Sequence, residues 1–166
     1  MTLVKNSNNS FKLNYEPKMR FVVLSGKEPF LLSEYTKQII ENLKKEFSSI
    51  DQIIFDGKNT SPIEILDEAR TWGLLGNHKL VVVDGADELL KDTKEFNVRH
   101  LFEKYASEPN QDTTMLFRSS VWRKGNLDKA IISNGGMVFL IPNVNENFAS
   151  AWCQKRSFSK YQINIS

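Results

Sequence analysis

The loop Ser25-Gly26-Lys27-Glu28-Pro29 follows an apolar run and leads into a helical pattern. That is where many α/β proteins hold the phosphates of a nucleotide. A complete phosphate loop has two glycines flanking four residues, then Lys and Ser or Thr. The glycines let backbone N–H groups wrap the phosphates, and the hydroxyl holds magnesium. Here only Gly26-Lys27 is present and the next residue is an acid, so an ordinary strand-to-helix turn is the simpler reading. Leu80-Val81-Val82-Val83-Asp84 has the form of an apolar strand ending in a metal-holding carboxylate. Without a phosphate loop opposite, Asp84, Asp87 and Glu88 read as turn and helix-cap residues. A degenerate ATPase built on Lys27 and Asp84 stays open as an alternative.

Other reactive side chains are sparse. His78 and His100 belong to no metal-spaced cluster, and no Ser or Cys is marked as a nucleophile by its neighbours. His78 reads as a solvated turn residue. Cys153 is the single cysteine, so an internal disulfide or a cysteine-based zinc site is excluded; beside Trp152 it reads as packing. No cofactor is implied. Basic residues gather late, at Arg118, Arg123, Lys124 and Lys129, then Lys155, Arg156 and Lys160. These are candidates for contact with DNA or another subunit, with a solvated surface as the plain alternative. Trp122, beside Arg123-Lys124, either stacks a base or packs at a loop mouth.

The elements that must position these residues are legible in the apolar pattern. Five short runs read as strands: Phe21-Val22-Val23-Leu24, Gln52-Ile53-Ile54-Phe55, Leu80-Val81-Val82-Val83, Met115-Leu116-Phe117 and Met137-Val138-Phe139-Leu140-Ile141. Several lack alternation, as strands buried on both faces do. Between them lie helical stripes. Leu32, Tyr35, Ile39, Leu43 and Phe47 follow Pro29. Ser61-Pro62-Ile63-Glu64 is a capping box opening a helix through Ile65, Leu66, Ala69 and Trp72. Val98, Leu101, Phe102 and Tyr105 form a third stripe; a fourth, through Leu127, Ala130 and Ile131, stops at Gly135-Gly136. The alternation predicts an α/β fold: a five-stranded, mainly parallel sheet with helices on both faces.

At 166 residues, 40% of them apolar and 25% charged, the chain suits one soluble domain. The net charge of +2 drives it onto neither nucleic acid nor anionic lipid. No apolar run is long enough to span a membrane, and the N-terminus lacks the apolar region of a secretory signal, so a cytoplasmic location is expected. Residues 1–18 read as a flexible leader and 19–145 as the folded domain. Residues 146–166 read as an exit helix and the start of a further domain, because Tyr161-Gln162-Ile163-Asn164-Ile165-Ser166 ends just after a new apolar run.

One turn departs from this plan. Ala69-Arg70-Thr71-Trp72-Gly73-Leu74-Leu75-Gly76-Asn77-His78-Lys79 joins a helix to a strand, yet carries an apolar pair between two glycines. Such turns are usually polar, since their backbone needs water. Leu74 and Leu75 are either folded back into the core or offered to a partner.

Three segments, in order and covering roughly residues 20–166, resemble the delta subunit family of the bacterial DNA polymerase III clamp loader. Phe21 to Leu32 looks like that family's opening strand followed by Gly-x-Glu-Pro-Phe-Leu. Trp72 to Val83 is similar to its Ser-Leu-Phe-Gly turn, basic position and apolar strand. Trp152 to Ser166 looks like its exit from the first domain. The resemblance implies an AAA+-like (P-loop-NTPase-like) domain lacking a functional phosphate loop, which agrees with the loop at Gly26. It also implies a non-catalytic role in DNA replication: binding the sliding clamp (the beta subunit) and helping to open it. The partners would be the other clamp-loader subunits and, through the complex, primed DNA. The family's Leu-Phe pair maps onto Leu74 and Leu75, with Arg70, Trp72 and Gly73 in the surrounding clamp-binding surface. Here Leu75 stands in place of the aromatic, Gly73 in place of the usual Ser, and Arg70 where some members carry Gln. A general α/β interaction domain with the two leucines buried is the plain alternative.

Overall fold

A computed structural model describes residues 12–93 and 97–143. Each apolar run forms a strand: β1 (Phe21–Ser25), β2 (Ile50–Asp56), β3 (His78–Asp84), β4 (Thr113–Ser119) and β5 (Met137–Leu140). The sheet runs in the order β2-β3-β4-β1-β5, and every pairing is parallel. The central strands β1, β3 and β4 are buried almost end to end, which is why their sequences do not alternate. Edge strand β2 alternates between half-buried and exposed positions from Asp51 to Asp56.

Among the described residues, five helices connect the strands: α1 (Pro29–Phe47), α2 (Pro62–Arg70), α3 (Ala86–Leu89), α4 (Val98–Ser107) and α5 (Asn126–Ser133). Their starts follow the expected chemistry. Proline occupies the first turn of α1 and of α2, where its missing N–H costs nothing. The Ser61 hydroxyl accepts from the Ile63 N–H at 3.3 Å, and Asn97 Oδ1 accepts from the His100 N–H at 3.1 Å. At the far end of α5 the Gly136 N–H returns to the Ile131 carbonyl at 2.8 Å, with Gly135 left-handed at φ +82°. The one-turn α3, with Asp87 and Glu88 in its first turn, is too short to leave a periodic signal.

Helices cover both faces. On one, Ile65 and Leu66 of α2, Phe102 of α4 and Leu127 and Ile131 of α5 pack against Phe21, Val23, Val81, Val83, Met115 and Phe117. On the other, Leu31, Tyr35, Ile39 and Leu43 of α1 pack against Val22, Leu24, Leu80, Val82 and Leu116. Tyr15 joins this second core and is buried, so the packed domain begins inside the segment expected to be leader. Among the described residues no helix is long and apolar enough to cross a membrane. The expected exit helix and its Trp152, Cys153, Lys155, Arg156 and Lys160 lie outside the described residues.

Because all strands run one way, the sheet has two chemically different edges. Loops leaving β1, β3 and β4 lie at the C-terminal edge, where α/β folds bind ligands. The turn between α2 and β3 lies at the opposite, N-terminal edge.

Candidate functional site

The chain leaves α2 at Arg70, which is exposed, and makes a single 3-10 turn over Leu74–Gly76 before entering β3. Three large apolar side chains stand in water there: Trp72 is 81% exposed, Leu74 78% and Leu75 fully. The alternative in which the pair folds back into the core is therefore excluded. The backbone explains how the pair is held out. Leu75 is left-handed (φ 55°, ψ 23°), and Gly76 follows at φ 75°. Leucine in this region is strained, by roughly 1–2 kcal/mol. Local strain of this kind persists only where the surroundings impose it, and it clusters at functional sites. Gly73 is extended, but a β-carbon on it would run into the carbonyl oxygen of Asn77. Glycine is thus required at 73 by close backbone approach rather than by its dihedral angles.

Two anchors from outside the turn hold it. Asp51, on β2, accepts hydrogen bonds from the Leu74 N–H and, at 3.3 Å, from Asn77 Nδ2. Lys79, buried on β3, donates from Nζ to the Glu68 carboxylate at 2.7 Å, to the Glu68 carbonyl at 3.0 Å and to Thr71 Oγ1 at 2.7 Å. It therefore ties the last turn of α2 to the sheet. The parallel register sets Asp51 directly beside Lys79. Neither anchor is legible from spacing, because Asp51 reaches the turn only through the β2–β3 pairing.

His78 is not a solvated turn residue. The strand begins one residue after Asn77, so His78 is buried within β3. Its ring stacks on Phe47 at 4.0 Å between centroids, and Nε2 lies 2.8 Å from Thr114 Oγ1. Burial, with the nearby Arg20 guanidinium, lowers its pKa to about 4, although Asp112 acts in the opposite direction.

The C-terminal edge looks built over rather than open. The Gly26 N–H, which a phosphate would need, donates to the Ser119 carbonyl at 3.0 Å, and a β-carbon at Gly26 would meet Ile141 at 2.8 Å. Asp84 accepts two hydrogen bonds from Arg118, at 3.1 and 2.8 Å. Asp84 ends β3, whereas Lys27 lies exposed two residues beyond the end of β1, with β4 between the two strands. Among the described residues no group of His, Cys, Asp and Glu could hold a metal ion.

Of the late basic residues, Arg118, Arg123, Lys124 and Lys129 lie among the described ones. Arg118 is engaged by Asp84, while Arg123, Lys124 and Lys129 are exposed near α5. Arg123 lines a surface cavity of about 340 Å³ together with Asp87, Asp92, Lys91 and Arg99, so both signs of charge meet there. Trp122 is half-buried: its indole N–H donates to Asp128, and the Arg99 guanidinium lies 5.3 Å from the ring centroid. One ring face is thus already covered.

A family profile described as DNA polymerase III, delta subunit, matches residues 23–131. No curated protein sequence matches the chain significantly. Among solved structures, the fold is similar to the Bacillus subtilis DNA clamp loader delta protein YqeN, with TM-score 0.63 and 20% identity over 85% of this chain and 43% of that one. It is also similar to a DNA polymerase III gamma subunit-related protein of Thermotoga maritima, with TM-score 0.52 and 19% identity over 80% of this chain and 44% of the other. A RuvB variant of Thermotoga maritima matches with TM-score 0.52 and 15% identity, over 88% and 45% of the two chains. The chain spans less than half the length of each of these structures.

Proposed function

The chain belongs to the DNA polymerase III delta subunit family, and from that premise we propose that it binds the sliding clamp through the Leu74–Leu75 turn and helps open the ring for loading onto primed DNA. The observation that carries this reading is the turn itself: two leucines and a tryptophan presented to water on a backbone that leucine disfavours. A contiguous apolar tip on a defined turn fits a concave apolar pocket on a partner. Arg70, Trp72 and Gly73 complete the docking surface. Burying two leucine side chains contributes roughly 3–6 kcal/mol before ordering costs. That anchors a complex but does not make a tight one alone, so Trp72 and the end of α2 must share the contact. Ring opening requires that the domain bind the opened or strained interface better than the closed one, since only that difference shifts the equilibrium.

In this reading the chain works in the cytoplasm beside other clamp-loader subunits, which hydrolyse the ATP. The committed Gly26 N–H and the Arg118-bound Asp84 support a non-catalytic role over the degenerate ATPase. Contact of Arg123, Lys124 and Lys129 with DNA or a neighbouring subunit is the secondary part of the proposal. The test titrates purified sliding clamp with the full chain, comparing wild type with the double variant Leu74→Ala/Leu75→Ala. Affinity is expected to fall by at least about tenfold, the equivalent of 1.4 kcal/mol. Equal binding by both proteins removes the pair from the interface.

A further inference from the structure

We propose that Asp51 is the positioning residue of the leucine turn: its carboxylate, carried on a different strand, holds the apolar tip in its presented form. The proposal rests on the clamp-binding reading of the turn and names what enforces it.

Left to itself the tip has reason to collapse. Folding Trp72, Leu74 and Leu75 back against the protein would remove apolar surface from water. It would also release Leu75 from its left-handed backbone. The turn's own backbone supplies little against this: Gly76 N–H to the Gly73 carbonyl at 3.2 Å, and Asn77 N–H to the Leu74 carbonyl at 3.0 Å. Asp51 bridges both ends. It accepts from the Leu74 N–H, a donor that the start of a helical turn leaves without an internal partner, and from the Asn77 side chain at the other end. Bonds to a carboxylate are about twice as strong as neutral ones. Gly73 allows the approach: a β-carbon there would sit 3.0 Å from Asp51 Oδ2. Asp51 also lies beside Lys79, which fixes the end of α2, so both legs of the turn are fastened to the sheet.

The consequence is preorganisation. When only a fraction of molecules presents the tip, the apparent dissociation constant rises by the inverse of that fraction. Asp51→Ala is therefore expected to weaken clamp binding by about tenfold if it leaves one molecule in ten competent. The unfolding midpoint should stay close to wild type, because Asp51 is only half-buried at the sheet edge. Amide exchange at Leu74 should accelerate while core amides keep their protection. Asp51→Asn keeps one acceptor for the Leu74 N–H but loses the charge and the acceptor facing Asn77 Nδ2, so its affinity should fall between wild type and Asp51→Ala. In the Leu74→Ala/Leu75→Ala background, Asp51→Ala should cost nothing further, the non-additivity expected of residues acting as a unit.

Two results overturn the proposal. One is wild-type clamp affinity for Asp51→Ala where truncating the leucines weakens binding; the clamp-binding reading then survives without it. The other is a uniform rise in exchange at Leu74 and in the core together, which makes Asp51 a general stabiliser. If truncating the leucines leaves clamp binding intact, the clamp-binding reading falls, and Leu74 exchange still decides whether Asp51 holds the turn. Should Asp51→Ala fail to fold, Asn77→Ala removes the other half of the bridge without touching β2, and unchanged affinity there is equally fatal.

Discussion

At Leu75 folding and the proposed clamp contact ask for different residues. The backbone there is left-handed, a region that asparagine tolerates far better than leucine. The side chain is fully exposed, so it contributes no packing to the domain. Leu75→Asn is therefore expected to leave the unfolding free energy unchanged or to raise it by up to about 1 kcal/mol. The same change should lower clamp affinity by at least about tenfold, since a buried leucine is worth roughly 1.5–3 kcal/mol. Chemical denaturation and clamp titration on the same two proteins check both halves; a variant that loses stability and keeps affinity reverses the argument. Gly73 belongs to the same scale. From sequence it looked like a lost serine. In space it is the residue that lets Asn77 and Asp51 close on the turn.

Among the elements, β3 couples the site to the core. It starts at His78, one residue beyond the turn, and its first two side chains are buried polar groups rather than aliphatic ones. His78 titrates at about 4 in the folded chain, against an ordinary 6.5. Above pH 6.5 it is neutral whether the chain is folded or not. Between 6.5 and about 4 only the unfolded chain takes the proton, so stability falls as pH falls through that window and levels off below it. His78→Gln keeps a hydrogen-bonding side chain for Thr114 and should flatten this part of the stability profile; an unchanged profile in urea titrations across these pH values would show that another group is responsible. The strands were legible in the sequence because unbroken apolar runs such as Leu80 to Val83 demand burial on both faces. His78 was not, because Gly76-Asn77 looks like the middle of a polar turn rather than its last residues. Nor was Asp51, whose role depends on lying beside Lys79 in a parallel register that no local pattern reports. Lys79 was visible only as a basic position; its burial follows from Glu68 and Thr71 converging on it.

For the molecule as a whole, the two edges of the sheet are built differently. At the C-terminal edge the groups a nucleotide would need are engaged within the protein: Gly26 bonds Ser119, and Arg118 bonds Asp84. Magnesium-ATP is accordingly expected to leave the melting temperature unmoved. A ligand present at a hundred times its dissociation constant would add about 2.7 kcal/mol of stability, which a thermal scan would register. A shift abolished by Lys27→Ala would restore the ATPase alternative. The N-terminal edge carries the presented leucines, at the other end of strands only a few residues long. β3 has seven residues, and at about 3.3 Å each it spans roughly 20 Å from His78 to Asp84. The sheet is thus a rigid spacer with a ready-made orientation. Lys58 and Asn59, exposed in the loop where β2 ends, lie at the far end from the leucines. A surface linker attached there would hold every molecule with its apolar tip facing outward, free for the ring it is proposed to bind.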